Sequence, residues 1–434
     1  MTRFGMGYRP DLPEQVGEAP RAWLRRQLSS DMQPRPPVTL IPDLKARWAI
    51  RFPTPEEKRM APERDSYQTF VQYSDRIRDA RIMTALQTET PLRERLVHFF
   101  FEHFTVSQTQ PSLLGLTDLY ENEAIRPHVT GPFRTLLGAV MHHPLMHIYL
   151  NNNSSIGPNS QMGQKNGLGI NENLGRELLE LHTLGVSGGY KQSDVAAAAQ
   201  MLTGWYIKYY DRNRPLDMMF LDSRHEPGTK IILAREFQEN GQKEMDDLLD
   251  FLAGHPSTAR FISRKLAKYF ISDQPPDDVV QEMTAVYLAR DGRIDAMMDV
   301  LLDHPSSWQP QGQKVLLPED WGIAFLNLFG LSTREAAVEV RSASQALGHG
   351  VHAARSPKGW PDDRDVWFSP GNMVLRAGLA ARMYEALNCR DDLDTALSIY
   401  FRNASIDVLA TIRGAPTLKD AYGLIAASPH FCLR

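Results

Sequence analysis

The chain has 434 residues, 42% of them hydrophobic, and 48 Lys and Arg nearly balance 52 Asp and Glu for a net charge of −4. That composition supports a large buried core, and the lack of a long basic run or an aromatic-interleaved basic stripe argues against a nucleic-acid partner. Only Cys389 and Cys432 occur, far apart, so neither a disulfide framework nor a Cys-rich metal site is expected.

Residues 1–60 mix Pro-rich connectors (Pro34 to Pro37, Pro53, Pro55) with one helical patch, Pro20 to Leu28, and read as an arm over a helical body of residues 61–434. The N-terminus lacks the apolar centre of a signal peptide, and no apolar run of about 18 residues is present to span a bilayer. As written the chain is expected to be soluble and cytoplasmic; a periplasmic or exported form would require a processed or truncated N-terminus. From Arg64 to His103 the apolar spacing is helical, and His103 falls beside Leu92, Leu96, Phe99 and Phe100. A histidine there is either a satisfied core residue or, with a converging partner, part of a site. Further helices are predicted at Leu116 to Arg126, Gly131 to His142 and Met146 to Leu150. His143-Pro144, His255-Pro256 and His304-Pro305 each follow an apolar helical stretch and read as helix terminators rather than ligands. Their unequal spacing makes only a weak case for a helical repeat.

A polar stretch rich in Asn, Ser and Gly begins at Asn151 and continues to Asn173. Loops longer than about 15 residues inside a compact protein are usually functional or disordered. Its amides, Asn151 and Asn152 among them, suit a polyhydroxylated or phosphorylated ligand. The loop feeds a helix predicted from Glu172 to Leu184, with Asn171 as N-cap and Gly185 as the left-handed stop. Steps of about 100° place Glu172, Asn173, Arg176, Glu177, Glu180 and Thr183 on one stripe, with Leu174, Leu178, Leu179 and Leu181 covering most of the rest. The stripe has two readings. One is a salt ladder, Glu172 to Arg176 to Glu180. The other is chemistry: Glu177 and Glu180 raise each other's proton affinity while Arg176 lowers that of whichever it touches, which separates an acid from a base.

Beyond Gly185 come a helix at Ser193 to Thr203, whose four alanines permit close packing, and a small β-ribbon. Its strands are predicted at Trp205 to Tyr210, Met218 to Leu221 and Lys230 to Leu233, with the turn at Pro227-Gly228 and His225 and Glu226 beside it. Helices follow at Glu244 to Gly254, Ser257 to Ser272 with Ser257 as N-cap, Asp277 to Leu288, Ile294 to Leu302, Pro318 to Leu328, Ala336 to Leu347 and Pro370 to Asn388. In the irregular segment between the last two, Trp360 and Trp367 either anchor the chain or line a cleft. The fold class is mainly α: one large multi-helical unit with a β-ribbon near residues 205–234.

Gly185-Val-Ser187-Gly-Gly189 matches the serine-hydrolase elbow in letters only, because that elbow joins a strand to a helix. No phosphate loop or dinucleotide fingerprint is present. Glu180 and His182 point about 160° apart on a helix and cannot chelate one ion together. A mononuclear site for a divalent transition metal would instead draw Glu177 or Glu180 together with His103, His143 or His225.

The stretch Asn171 to Val186, with Gly189-Tyr190 and Leu202-Thr-Gly-Trp205, resembles the signature of a bacterial family catalogued as domain of unknown function 1800. Similar stretches are Arg3-Phe-Gly-Met-Gly7, Glu102-His-Phe-Thr-Val-Ser107, His143-Pro-Leu-Met146, Tyr149-Leu-Asn-Asn152, His255 to Arg260 with Arg264-Lys-Leu266, and Ser356-Pro-Lys-Gly-Trp-Pro361. The resemblance covers nearly the whole chain. It carries no settled activity, but it implies a shared polar site at Asn171, Glu172, Asn173, Arg176, Glu177, Glu180 and His103. The family often has Asp at the place of Asn151 and His-Asp at His225-Glu226, and many members have Phe at His182, which argues against a catalytic role there. The resemblance also implies export in many members and a partner protein of phosphatase or sulfatase type encoded nearby.

The leading expectation is an enzyme, of hydrolase or transferase type, acting on a polar small molecule or glycan. Glu177 or Glu180 would serve as general acid or base, Arg176 would tune charge, His103 or His225 would assist, and Asn171, Glu172, Asn173, Asn151, Asn152 and Trp360 would contact substrate. Glycoside hydrolysis separates its carboxyls by roughly 5–9.5 Å, so two on adjacent turns call for a partner from another helix. The alternatives are the metal enzyme above and a non-catalytic binding or assembly factor whose stripe is a buried ladder.

Overall fold

The computed structural model describes residues 2–29, 32, 35–63, 65–309, 314–390 and 392–434. Pro34 of the Pro-rich connector and Arg64, the predicted first helical residue of its stretch, lie outside them. The described residues form 24 α-helices and two small two-stranded antiparallel sheets. The architecture is therefore mainly α, and no helix among the described residues is long and apolar enough to cross a membrane.

Two buried clusters organise the helices. The larger gathers Trp48, Leu92, Leu96, Phe100, Phe133, Leu178, Leu266 and Tyr287, while the second gathers Ile82, Trp321, Phe325, Val340, Tyr422 and Phe431. The 22-residue helix Ser66–Gln87 serves both, giving Phe70 and Tyr73 to the first and Ile82, Ala85 and Leu86 to the second. The N-terminal segment does more than cover the body: Phe4 lies in the larger core and Met6 in the second. It also carries helices beyond the expected Pro20–Leu28, at Leu12–Val16, Leu44–Arg51 and Pro55–Met60.

The second core is completed by helices beyond those expected, Leu393–Tyr400, Ile406–Arg413, Leu418–Ala427 and Pro429–Cys432. Their starts were nonetheless written in the sequence. Asp392, Ser405, Thr417 and Ser428 each accept a backbone N–H from the first turn of the helix they precede.

Two local expectations are corrected. The three His-Pro pairs do not simply end helices but open the next ones. Nδ1 of His143, His255 and His304 accepts the backbone N–H of Leu145, Ser257 and Ser306 at 3.2, 3.1 and 3.3 Å. With proline fixing φ at the first helical position, the imidazole acts as the N-cap, so His255 and not Ser257 caps the helix Pro256–Phe270. The single ribbon is two hairpins. Trp205–Lys208 pairs with Asp217–Phe220, and Lys230–Ile232 with Arg235–Phe237. The second turn is Leu233-Ala234, both at positive φ (50° and 63°), rather than Pro227-Gly228, as a two-residue hairpin of this hand requires.

A buried ionic network joins the two cores. Arg81 bonds Glu121 and, at 2.8 Å, Glu319; Arg126 bridges Glu121 at 2.8 Å and Glu94; His352 reaches Glu121 at 3.0 Å and Thr117 at 2.9 Å. Burial alone would push Glu121 up, but Arg81, then His352 and Arg126, hold its carboxyl well below the usual carboxylate range.

Candidate active site

The central helix begins one residue later than expected, at Asn173, and changes winding part-way: α over Asn173–Glu177, then a π-helix over Leu178–Thr183. Leu184 N–H reaches back to Leu179 O at 2.9 Å, and Gly185 stops the helix at φ +78°. Glu172, not Asn171, is the N-cap and caps with no side-chain bond, while Asn171 one residue earlier accepts Asn173 N–H on its Oδ1 at 3.0 Å. Gly175 sits where an added Cβ would lie 2.7 Å from the backbone N of Ala199, so the alanine-rich helix Gln192–Met201 packs directly on this turn. Single π turns inside α-helices occur often at functional sites.

The wider turn breaks the stripe drawn at α spacing. Arg176 keeps Glu172, at 3.0 Å, and Gln192, also at 3.0 Å, but forms no ion pair with Glu180 among the described residues. The ladder therefore exists only in its first rung. Glu180 instead faces Tyr190, whose phenol is pushed up to about 12 by burial and then by the Glu180 charge. Glu177 is partly buried, and burial, then the neighbouring Glu180 charge, raise its carboxyl above the ordinary value while Arg176 opposes them.

His103 is buried, with 2% of its surface exposed, and it meets a second chemistry-bearing element. Its Nε2 lies 3.1 Å from His182 O and its Nδ1 lies 2.8 Å from Lys265 Nζ. A carbonyl only accepts, so Nε2 carries the proton and Nδ1 accepts from the lysine. Burial, then the Lys265 charge, drive the imidazole well below its ordinary pKa. Burial lowers Lys265 to about 8, and the charges of Asp362 and Glu102 only partly restore it.

Glu102, beside His103 on the helix Pro91–His103, is raised by burial against a bond from Trp360 N–H at 2.9 Å to its Oε2. The approach depends on Gly359 at φ +79°, where a Cβ would fall 2.6 Å from Glu102 O. Tyr149 lies in the fields of Glu177 and Glu102 together, and its phenol is pushed up to about 12 by burial and then by those two charges. Stretches singled out by the family resemblance thus come together: Glu102-His103, Tyr149, Glu177, Lys265 and Gly359-Trp360.

The other expected site residues divide. Asn151 is exposed with left-handed backbone, and Glu172, Asn171 and Asn173 lie on the accessible side of the central helix. Asn152 is corrected to a structural role, because it is 1% exposed and its Nδ2 bonds His147 Nδ1 and Leu202 O, each at 2.9 Å. His225 is likewise held elsewhere: Nε2 contacts Glu244 at 2.9 Å and Nδ1 contacts Thr203 O at 3.0 Å, inside a buried group that includes Lys230. Both of its ring nitrogens are engaged there, so it does not assist at Glu177. Trp367 anchors its segment, 4% exposed with Nε1 on Pro361 O at 2.7 Å, whereas Trp360 remains partly exposed and stacks near His349. Among the described residues, no three His, Cys, Asp or Glu side chains are placed to hold a metal ion. His103 has neither nitrogen free for one, so the expected Glu and His103/His225 donor set does not form. Sequence reasoning missed Glu102, Tyr149 and Lys265 as site residues. Their signal was membership of the similar stretches, but nothing in their local spacing marks them as chemical.

The fold places the chain among mainly α-helical proteins with minor β-ribbons. It belongs to the family described as protein of unknown function (DUF1800), whose model matches residues 1–433. No curated protein and no solved structure matches it.

Proposed function

We propose that the chain is an enzyme acting on a polar, carbohydrate-containing substrate by general acid–base catalysis, with Glu177 and Glu102 as the acid–base pair. The observation carrying this is that two partly buried carboxyls from different helices both act on Tyr149, and neither forms an ion pair among the described residues. Unpaired carboxyls with raised proton affinity keep a proton to higher pH than an ordinary carboxyl and are suited to deliver it to a leaving oxygen. Glu102 supplies the partner from another helix that a lone pair on adjacent turns lacked. Glu180 raises the Glu177 proton affinity by its charge, Arg176 moderates that effect, and His103 positions Lys265, whose amine burial lowers to about 8. Asn151, Asn171, Glu172 and Asn173 give the accessible rim polar groups for hydroxyls, and Trp360 offers a ring face for a sugar.

The test is release of reducing ends from a panel of soluble polysaccharides and cell-wall glycan fragments. Glu177→Gln and Glu102→Gln are each expected to lower turnover by on the order of 10²–10⁴-fold, the usual span of a lost acid or base, with unchanged melting temperature. An activity that survives both substitutions sinks the assignment.

A further inference from the structure

Beside the two carboxyls stands a cation that the protein's own residues do not neutralise. Lys265 belongs to the helix Pro256–Phe270, and Phe261, one turn earlier, packs on the stop of the central helix, where a Cβ added at Gly185 would lie 2.7 Å from its ring. The Lys265 ammonium lies 5.6 Å from the centroid of that ring and donates to His103 Nδ1 at 2.8 Å. His103 answers with a neutral lone pair only, because its Nε2 proton is committed to His182 O at 3.1 Å.

The other lysines that are not fully exposed each meet a carboxylate. Lys230 reaches Glu244 at 2.8 Å, Lys268 reaches Asp362 and Asp363 at 2.7 Å each, and Lys314 reaches Asp273 at 2.7 Å. Lys419 reaches Glu385 at 3.2 Å and Lys208 reaches Asp217 at 4.0 Å. Lys265, one turn before Lys268 on the same helix and partly exposed, forms no ion pair among the described residues. Of the three N–H bonds an ammonium carries, Lys265 uses one there. Glu102 and Asp362 act on it by charge alone, and the aspartate is already bonded to Lys268 and 3.2 Å from Lys314. Lys358, exposed on the turn that brings Gly359 and Trp360 over Glu102, adds a second positive charge on the same side. A partly buried cation without its counter-charge is stabilised by a ligand that brings an anion.

We infer that the substrate is an acidic glycan built on uronic acid units, and that Lys265 selects it by binding the sugar carboxylate, with Lys358 attracting it from the rim. This rests on the acid–base reading of Glu102 and Glu177 and adds the substrate class to it. A uronic acid carries its carboxylate directly on the sugar ring, so a cation fixed through His103, the neighbour of Glu102, orients the ring against the carboxyls. The chain's net charge of −4 gives no general attraction for polyanions, so recognition falls to these local cations.

Calorimetric titration of the whole chain with tetrasaccharides of galacturonic, mannuronic and glucuronic acid, each against its uncharged methyl ester, tests it. Glu177→Gln is titrated alongside to separate binding from turnover. At least one acid should bind about tenfold more tightly than its ester, the scale of one charge-assisted contact, and its binding should weaken as salt rises. Lys265→Met should remove that preference and leave ester binding unchanged. Lys265→Gln, which keeps a donor for His103 Nδ1, should do the same with the melting temperature of the wild type. No binding of any acid up to about 10 mM overturns the inference. Equal affinity for acid and ester, or a preference that survives both lysine substitutions, overturns it too. The two readings fail separately. Cleavage of a neutral glycan that needs Glu177 and Glu102 but not Lys265 overturns this inference alone, whereas Lys265-dependent binding of an acid that is never cleaved upholds it and sinks the acid–base assignment.

Discussion

The ionic network around Arg81 and the candidate site around Glu177 are built from the same kinds of residue and behave in opposite ways. In the network, Glu121 and Glu319 are each hydrogen-bonded to Arg81, and although burial works against them both are held below the ordinary carboxylate range. In the site, Glu102 and Glu177 have no such partner, and both are raised. Residue type therefore says little about role. What separates the two groups of carboxylates is whether a cation reaches them, because an unpaired group in a poorly solvated place has its proton affinity raised.

The largest effect should come from breaking the paired side. Arg81→Met leaves buried Glu319 without its cation and takes one of three partners from Glu121, and is expected to lower stability by about 3–5 kcal/mol, as removal of one partner of a buried pair does, measured by urea unfolding at pH 7. The sign with pH follows from the depressed values of Glu121 and Glu319. Their contribution is fully present above the unfolded value of 4.5 and lost as pH falls through the folded values, so the gap between wild type and Arg81→Met should narrow in acid.

On the unpaired side the pH dependence runs through Lys265. Its folded value of about 8 lies below the ordinary 10.5, so the unfolded chain binds the extra proton between them. Wild-type stability relative to Lys265→Met should therefore rise from pH 8 to 10.5 and be flat below 8. Unfolding curves at steps across that range check it, and a slope of the opposite sign would contradict a depressed lysine. Smaller again is Glu177→Gln. A raised carboxyl contributes stability below the unfolded value and loses it as pH rises through the folded value, so at pH 7 the amide should be neutral to slightly stabilising, within about 0.5 kcal/mol. A loss of more than about 2 kcal/mol would place Glu177 with the paired group. The smallest change belongs to the surviving ladder rung: Arg176→Gln removes an exposed i,i+4 pair and should cost about 0.3–0.5 kcal/mol by the same unfolding assay.

Much of the helical layout was legible because apolar periodicity and capping are local. Pro20–Leu28 fell on its expected bounds, and helices such as Asp277–Ala289 and Ile294–Asp303 within a residue. The C-terminal helices escaped although their Ser, Thr and Asp caps were there to be read. The hairpin at Leu233-Ala234 escaped because neither residue advertises positive φ.

By itself the sequence determined the mainly α class, the family, and the position of the central helix with its left-handed stop at Gly185. These depend on the order of residues along a few turns. Only the tertiary structure decided that the helix winds as π through Glu180, that His225 and Asn152 serve buried networks, and that Glu102, Tyr149 and Lys265 join Glu177. Those outcomes depend on which charges meet in space across separations of tens to hundreds of residues, and proton affinity is set by those neighbours and by lost solvent rather than by the side chain's own chemistry.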